Sequence, residues 1–127
     1  MPRYVEPTDQ LILEIYVREL KRSIEFYANL GFSILRREDN FAELIWEESK
    51  IYLEQTSDTN LGSVDLAGNI RIMVPDVDER WKRACDLGVP VVKSIGDRYY
   101  GLRDFTILGP DGIGIRFGTR ISGKANE

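Results

Sequence analysis

An internal repeat is the feature of this chain that most constrains its fold. The segment VRELKRSIEFYANLGFSIL at 17–35 aligns without a gap with VPDVDERWKRACDLGVPVV at 74–92, at an offset of 57 residues. The alignment places apolar residues on apolar residues and Gly31 on Gly88. Because a repeated pattern of this kind folds as repeated copies of one structural unit, the sequence predicts two similar modules.

Each copy carries the pattern of a strand followed by a helix. Upstream of the first copy, Leu13, Ile15 and Val17 alternate with other residues at the two-residue period of a half-buried strand. The residues that follow have apolar positions at helical spacing. The pattern predicts helices near 19–30 and 76–87, each ending at one of the aligned glycines, which suit a left-handed C-terminal cap.

The remainder of each half reads as three short strands. Alternating segments predict strands at 32–37, 41–46, 50–55, 89–93, 105–108 and 114–118. We therefore predict an α+β fold of two tandem βαβββ modules in a single domain, 1–127. The modules span about 10–56 and 69–118, with a linker at 57–68 and weak tails at 1–9 and 119–127.

The composition is that of one ordinary globular domain. The chain has 127 residues, of which 43% are hydrophobic and 30% are charged. The net charge of −4 argues against nucleic acid as a partner. No apolar run reaches the roughly 18 residues of a membrane helix, and the first residues lack the apolar stretch of a signal peptide. We expect no membrane association and a cytoplasmic protein.

Two absences narrow the possible chemistry. Cys85 is the single cysteine, so the chain cannot form an internal disulfide. The sequence has no histidine, which removes serine or cysteine nucleophile systems that need an imidazole base. Zinc sites that depend on imidazole are removed as well.

Strand alternation assigns the side chains to two faces of the sheet. One face takes the apolar residues that should pack under the helices. The other face carries Ile12, Glu14, Tyr16, Tyr52, Glu54, Asn69, Arg71, Met73 and Arg116. This mixture of charge, aromatic rings and apolar groups predicts the lining of a concave pocket. The alternative is a face of ion pairs, Glu14 with Arg71 or Glu54 with Arg116.

The remaining aromatic residues divide between core and site. Phe41 and Phe105 occupy matching places in the two modules, which favours a core position for both. Trp46 ends a strand and is a candidate for the rim of the pocket. The second half has seven extra residues within 94–104, including Tyr99 and Tyr100, and this insertion suits either a lid over the pocket or a surface loop.

The repeat, together with YGLRDF at 100–105 and GPDG at 109–112, resembles the glyoxalase and bleomycin-resistance (vicinal oxygen chelate) superfamily over roughly residues 10–118. The resemblance implies a U-shaped, partly closed eight-stranded mixed sheet with helices on the outside. It also implies a small molecule bound in the cavity of that sheet. In the enzymes of the superfamily, four equivalent strand positions hold a divalent metal there.

In this chain those four metal-ligand positions correspond to Ile12, Tyr52, Asn69 and Arg116, and none of them is a histidine or a carboxylate. An arginine brings a fixed positive charge, and neutral tyrosine or asparagine is a poor ligand for a divalent cation. We therefore predict no metal and no cofactor. A displaced metal site at Glu14 and Glu54 is the alternative.

The resemblance is strongest to the non-metal branch, whose members are small acidic homodimers that sequester a cationic glycopeptide drug. We therefore predict a homodimeric protein without catalytic residues that sequesters an antibiotic or a small aromatic metabolite. The predicted ligand-binding residues are Glu14, Tyr16, Trp46, Tyr52, Glu54, Asn69, Arg71, Tyr99, Tyr100 and Arg116. The two arginines suit an anionic ligand better than a polycation. The alternatives are a metal-dependent lyase, isomerase or dioxygenase, and an interaction module for a partner chain.

Overall fold

The computed structural model describes residues 3–56, 67–110 and 112–121. Its elements are α1 (Pro7–Gln10), β1 (Leu11–Val17), α2 (Leu20–Leu30), β2 (Ser33–Glu38), β3 (Phe41–Trp46), β4 (Ser49–Gln55), β5 (Gly68–Met73), α3 (Val77–Leu87), β6 (Val91–Asp97), β7 (Leu102–Leu108) and β8 (Gly114–Arg120). After the single turn of α1, the order strand, helix and three strands occurs twice. The predicted α+β fold with a βαβββ repeat is confirmed.

The eight strands form one mixed sheet in the order β2-β3-β4-β1-β5-β8-β7-β6, and the sheet is not closed into a barrel. Strands β1 and β4 are parallel, as are β5 and β8. The two modules meet at the centre, where β1 runs antiparallel to β5 with Leu13 opposite Ile70. Both modules of one chain therefore contribute to the same sheet.

Both long helices lie at the predicted positions and have local signals at their ends. Each begins one residue after the predicted start, because Glu19 and Asp76 are the N-cap residues. The Asp76 side chain accepts a hydrogen bond from the backbone N–H of Glu79 at 3.3 Å, which satisfies a free donor of the first turn. Gly31 and Gly88 end the helices with positive φ angles of 128° and 70°. Among the described residues, no helix is long and apolar enough to cross a bilayer.

Each helix covers a separate hydrophobic cluster of its own module. The buried residues are Leu20, Ile24, Ala42, Leu44 and Leu53 under α2, and Val74, Val77, Ala84 and Phe105 under α3. Phe105 is fully buried and packs edge-on against Trp81 at 5.1 Å between ring centroids, so its predicted core position is confirmed. Leu13, which strand alternation places on the helix side of the sheet, is 42% exposed and belongs to neither cluster.

The boundaries of the modules differ from the prediction at three places. The N-terminal tail contains α1, with Pro7 at its start, and buried Val5 packs with Met73. Strand β8 continues to Arg120, into the predicted C-terminal tail. Residues 57–66 of the predicted linker lie outside the described residues, whereas Gly68 belongs to β5, where a Cβ atom would lie 2.0 Å from the backbone oxygen of Glu14.

The inserted segment at 94–104 forms the tip of the β6–β7 hairpin, and its residues Tyr99, Tyr100 and Gly101 line a cavity. Strands β6 and β7 both extend into it, and irregular pairing at Lys93 takes up part of the extra length. The turn between them closes with a 2.7 Å hydrogen bond from the Arg98 N–H to the Leu102 carbonyl oxygen. The Arg98 side chain also donates to Asp104 at 2.7 Å, which holds the turn against β7.

Candidate functional site

A cavity of about 1030 Å³ lies on the sheet face opposite the helices. Both modules contribute to its walls. Eight of the predicted site residues line it: Glu14, Tyr16, Tyr52, Glu54, Asn69, Tyr99, Tyr100 and Arg116. The alternation of the central strands therefore brings together most of the side chains that the sequence analysis selected.

Arg116 is held between two carboxylates on one side of this cavity. Its Nη1 donates to Glu14 Oε2 at 2.8 Å and its Nη2 donates to Asp104 Oδ2 at 2.8 Å. The side chains of Arg116, Glu14 and Asp104 are 12%, 5% and 1% exposed. The predicted alternatives paired Glu14 with Arg71 and Glu54 with Arg116; the ion pair seen here joins Glu14 with Arg116. Both ends of the guanidinium fork are engaged by the protein itself.

Asp104 connects this pair to the β6–β7 hairpin. Besides Arg116, it accepts a hydrogen bond from Arg98 at 2.7 Å and from the Tyr100 hydroxyl at 2.6 Å. Burial alone would raise the pKa of the Asp104 carboxyl. The charge of Arg116 and the hydrogen bonds from Arg98 and Tyr100 outweigh burial, and the pKa lies below its ordinary value of 3.8. Asp104 is therefore a buried anion that orders both the cavity wall and the hairpin.

The depressed pKa of Asp104 predicts acid sensitivity. Above the unfolded pKa, near 3.8, the ionised carboxylate stabilises the fold, and this contribution is lost as the pH falls through the lower folded pKa. Asp104→Asn cannot lose a proton at this site. The difference in unfolding free energy between wild type and Asp104→Asn should therefore shrink between about pH 6 and about pH 3, measured by urea denaturation. A difference that stays constant over this range would contradict the assignment.

Asn69 and Tyr16 form the adjacent part of the wall. The Asn69 Nδ2 group donates to the Tyr16 hydroxyl oxygen at 2.8 Å and to Glu14 Oε1 at 3.3 Å. Burial raises the pKa of the Tyr16 phenol to about 12, and the charge of Glu54 adds to the shift. The phenol therefore stays neutral at physiological pH. The bare Gly114 makes room for Asn69, because a Cβ atom there would lie 2.2 Å from Asn69 Oδ1.

The residues at the four positions that the family resemblance assigns to metal ligands do not fit a divalent cation. Ile12 is 1% exposed and has no donor atom, and Arg116 carries a positive charge into the position that a ligand would occupy. The described residues contain no group of three or more histidine, cysteine, aspartate or glutamate side chains arranged to hold a metal. The alternative metal site at Glu14 and Glu54 does not fit a divalent cation either, because Glu14 is already bonded to Arg116 and Glu54 is exposed.

Arg71 lines a second, smaller cavity of about 210 Å³. Its guanidinium lies over the Tyr52 ring at 5.1 Å, and its Nη2 approaches the Asp9 carbonyl oxygen at 3.4 Å. Lys50, also in this wall, pairs with Asp9 at 2.8 Å and Glu43 at 3.2 Å. Tyr52 borders both cavities, so the predicted site residues are divided between two compartments.

Two aromatic residues of β3 lie on the opposite faces from those expected. Trp46 packs on Phe32 at 5.3 Å and covers Gly31 on the helix side of the sheet, and it does not line either cavity. Phe41, expected in the core, lines the large cavity and contacts the Tyr52 ring at 4.9 Å. Alternation along β3 explains both differences, because Trp46 shares its face with the buried core residue Leu44 and Phe41 does not.

Sequence reasoning missed several residues of the outer strands. The large cavity is also lined by Arg36, Glu38, Asp39, Asn40, Gln55, Lys93, Gly101 and Thr106. Strand alternation was available as a signal for Thr106, which lies directly opposite Arg116 in the β7–β8 pair. Lys93 could not be assigned in this way, because the register between β6 and β7 shifts on both sides of it.

Comparisons with known proteins agree with the fold. The chain belongs to the Glyoxalase/Bleomycin resistance protein/Dioxygenase superfamily, whose family model matches residues 9–117. It is similar to bleomycin resistance proteins of Geobacillus stearothermophilus and Staphylococcus aureus, with 32% identity over 128 residues, 88% of this chain and 97% of each relative. A superfamily member from Vibrio splendidus 12B01 superimposes with a TM-score of 0.70 at 22% identity, covering 87% of this chain and 97% of that one.

Proposed function

We propose that the protein is a metal-independent binding protein that sequesters an antibiotic of the bleomycin type, or a small aromatic metabolite, in the large cavity. The observation that carries the proposal is the bonding of Arg116 to Glu14 and Asp104. The family resemblance assigns the position of Arg116 to a metal ligand, and a guanidinium held there does not bind a metal. Similarity to proteins named for bleomycin resistance supports the choice of ligand class.

The cavity offers aromatic surface and negative charge to such a ligand. Phe41, Tyr52, Tyr99 and Tyr100 line it, and stacking on one such ring contributes about 0.5 to 1.5 kcal/mol beyond simple burial. The ionisable lining residues are four carboxylates, Glu14, Glu38, Asp39 and Glu54, and three cations, Arg36, Lys93 and Arg116. A cationic ligand suits this balance better than an anion, because Arg116 already bonds two carboxylates.

Calorimetric titration with metal-free bleomycin in the presence of EDTA tests the proposal. We expect saturable, stoichiometric binding under these conditions. A parallel titration with zinc, manganese or nickel salts, without EDTA, should give no stoichiometric heat. Binding of bleomycin only after a metal is added, or tight binding of one metal ion per chain, would instead support a metal-dependent lyase, isomerase or dioxygenase.

Substitution of one aromatic residue on each face of the sheet tests whether the ligand binds in the large cavity. Tyr99 is 97% exposed at the cavity rim, so Tyr99→Ala should leave the fold intact and weaken bleomycin binding by about fivefold, the loss of one stacking contact of about 1 kcal/mol. Trp46→Ala is the matched control, because Trp46 is 45% exposed on the helix side. Equal effects of the two substitutions on the dissociation constant would contradict binding in this cavity.

We also propose that the protein acts as a homodimer. The support is a set of large apolar side chains that are at least half exposed: Leu11, Phe26, Leu30, Ile34 and Leu35. Association of two chains would remove part of this surface from water. Sedimentation velocity should give twice the chain mass of 14.6 kDa, and a species of 14.6 kDa at micromolar concentration would contradict the proposal.

A further inference from the structure

Lys93 is a cavity residue to which the proposed function gives no role. It lies on β6 opposite Thr106, which in turn lies opposite Arg116 on β8, so the three residues form one row across the sheet. All three line the large cavity. Lys93 is also exposed, so molecules that enter the cavity can reach it.

The surroundings of Lys93 disfavour its charged form. Partial burial lowers the pKa of the amine, and the positive charges of Arg98 and Arg116 lower it further. The carboxylates of Asp104 and Glu54 act in the opposite direction but do not reverse the shift. Asp104 is already shared among Arg98, Arg116 and Tyr100.

Lys50 provides the opposite case within the same chain. Its ammonium bonds to Asp9 at 2.8 Å and Glu43 at 3.2 Å. The hydrogen bond to Asp9 is the largest cause that raises its pKa. Only the uncharged amine is a nucleophile. Because the pKa of Lys93 is lowered and that of Lys50 is raised, Lys93 holds more of this reactive form at the same pH.

We propose that Lys93 is a covalent capture site for small aromatic aldehydes, which it binds as an imine within the large cavity. A lysine beside other cations in a partly desolvated pocket has the environment that favours this chemistry. Phe41 and Tyr100 supply apolar surface for the aromatic part of the aldehyde. The inference rests on the second ligand class of the proposed function, a small aromatic metabolite in the large cavity, and does not require that the antibiotic binds.

The reaction balances without any oxidant or reductant. The Lys93 ammonium first loses a proton to water, and the nitrogen lone pair then attacks the aldehyde carbon. A C–N bond forms as the carbonyl π electrons move to oxygen, and proton transfer gives a carbinolamine. Loss of the hydroxyl group as water, with departure of the second nitrogen proton, leaves the C=N bond of the imine. The step is reversible by hydrolysis.

Reductive trapping of the full chain tests the proposal. The protein is incubated with benzaldehyde and sodium cyanoborohydride at neutral pH, and benzylated lysines are quantified by peptide mass spectrometry. Lys93 should be labelled about threefold or more faster than Lys50, because Asp9 and Glu43 hold the Lys50 amine in its charged form. Lys93 should also be labelled faster than the exposed helix residue Lys21, which does not line the cavity. Labelling of Lys93 no faster than that of Lys21 would overturn the proposal.

Two further measurements separate capture in the cavity from general amine reactivity. In the wild-type chain, the pH midpoint of the labelling rate should lie lower for Lys93 than for Lys50, and coincident midpoints would overturn the proposal. Lys93→Arg should abolish the fast labelling phase, whereas Lys50→Arg should leave it unchanged. Persistence of the fast phase in Lys93→Arg would also overturn the proposal that Lys93 captures the aldehyde. Neither result depends on whether bleomycin binds.

Discussion

Arg116→Met is expected to lower the free energy of unfolding by about 3 to 5 kcal/mol, the cost of removing one partner from a buried ion pair. The substitution leaves Glu14 without the 2.8 Å contact to the guanidinium, and it takes from Asp104 one of the cations that stabilise its charge. Both carboxylates are at most 5% exposed, so water cannot replace the lost contacts. Urea denaturation followed by tryptophan fluorescence measures the change.

An exposed arginine provides the control for this prediction. Arg103 also bonds two carboxylates, Asp78 at 2.9 Å and Asp97 at 3.1 Å, but its side chain is 37% exposed and theirs are 60% and 65% exposed. Because solvent screens such pairs, Arg103→Met should cost much less than Arg116→Met. Similar costs for Arg103→Met and Arg116→Met would show that burial of the Arg116 pair does not determine its contribution.

Phe105→Ala is expected to destabilise the fold by about 3 to 5 kcal/mol as well, for a different reason. Phe105 is fully buried under α3 and contacts the rings of Trp81 at 5.1 Å and Phe117 at 5.6 Å. Truncation removes these contacts and leaves a cavity that neighbouring side chains fill only in part. The midpoint of urea denaturation should fall, with little change in the slope of the transition.

Phe26→Ala is the matched control for the core prediction. Phe26 lies on α2 and is 59% exposed, so in the unassociated chain the same truncation should cost less than about 1 kcal/mol. Phe105→Leu should fall between the two, because leucine keeps apolar volume in the cluster. If Phe105→Ala cost no more than Phe26→Ala, the cluster under α3 would not be the core of the second module.

The fold was accessible from the sequence because its signals are local. Helices α2 and α3 have helical spacing, and each ends at a glycine with positive φ. The repeat then supplies the module order without any knowledge of contacts. The ends were less predictable, since α1 depends on the packing of Val5 against Met73, far away in the sequence. The strand pairing within the insertion was also not predictable, because the β6–β7 register shifts on both sides of Lys93.

The site was predictable only where alternation on the central strands was sufficient. Glu14, Asn69 and Arg116 come together because β1, β5 and β8 are neighbours in the sheet. The ion pair between Arg116 and Glu14 depends on this strand order, which composition does not contain. Asp104 was not predicted as a site residue, because its contact with Arg116 depends on the pairing of β7 with β8.

The antiparallel contact between β1 and β5 has a consequence for how such a chain could arise and fold. A single module on its own would leave the hydrogen-bonding edge of its first strand unpaired, and such an edge recruits any strand that fits. Joining two copies in one polypeptide raises the local concentration of the correct partner to the order of millimolar. Duplication thus replaces pairing of these strands between two molecules with pairing inside one, independent of how much protein the cell makes.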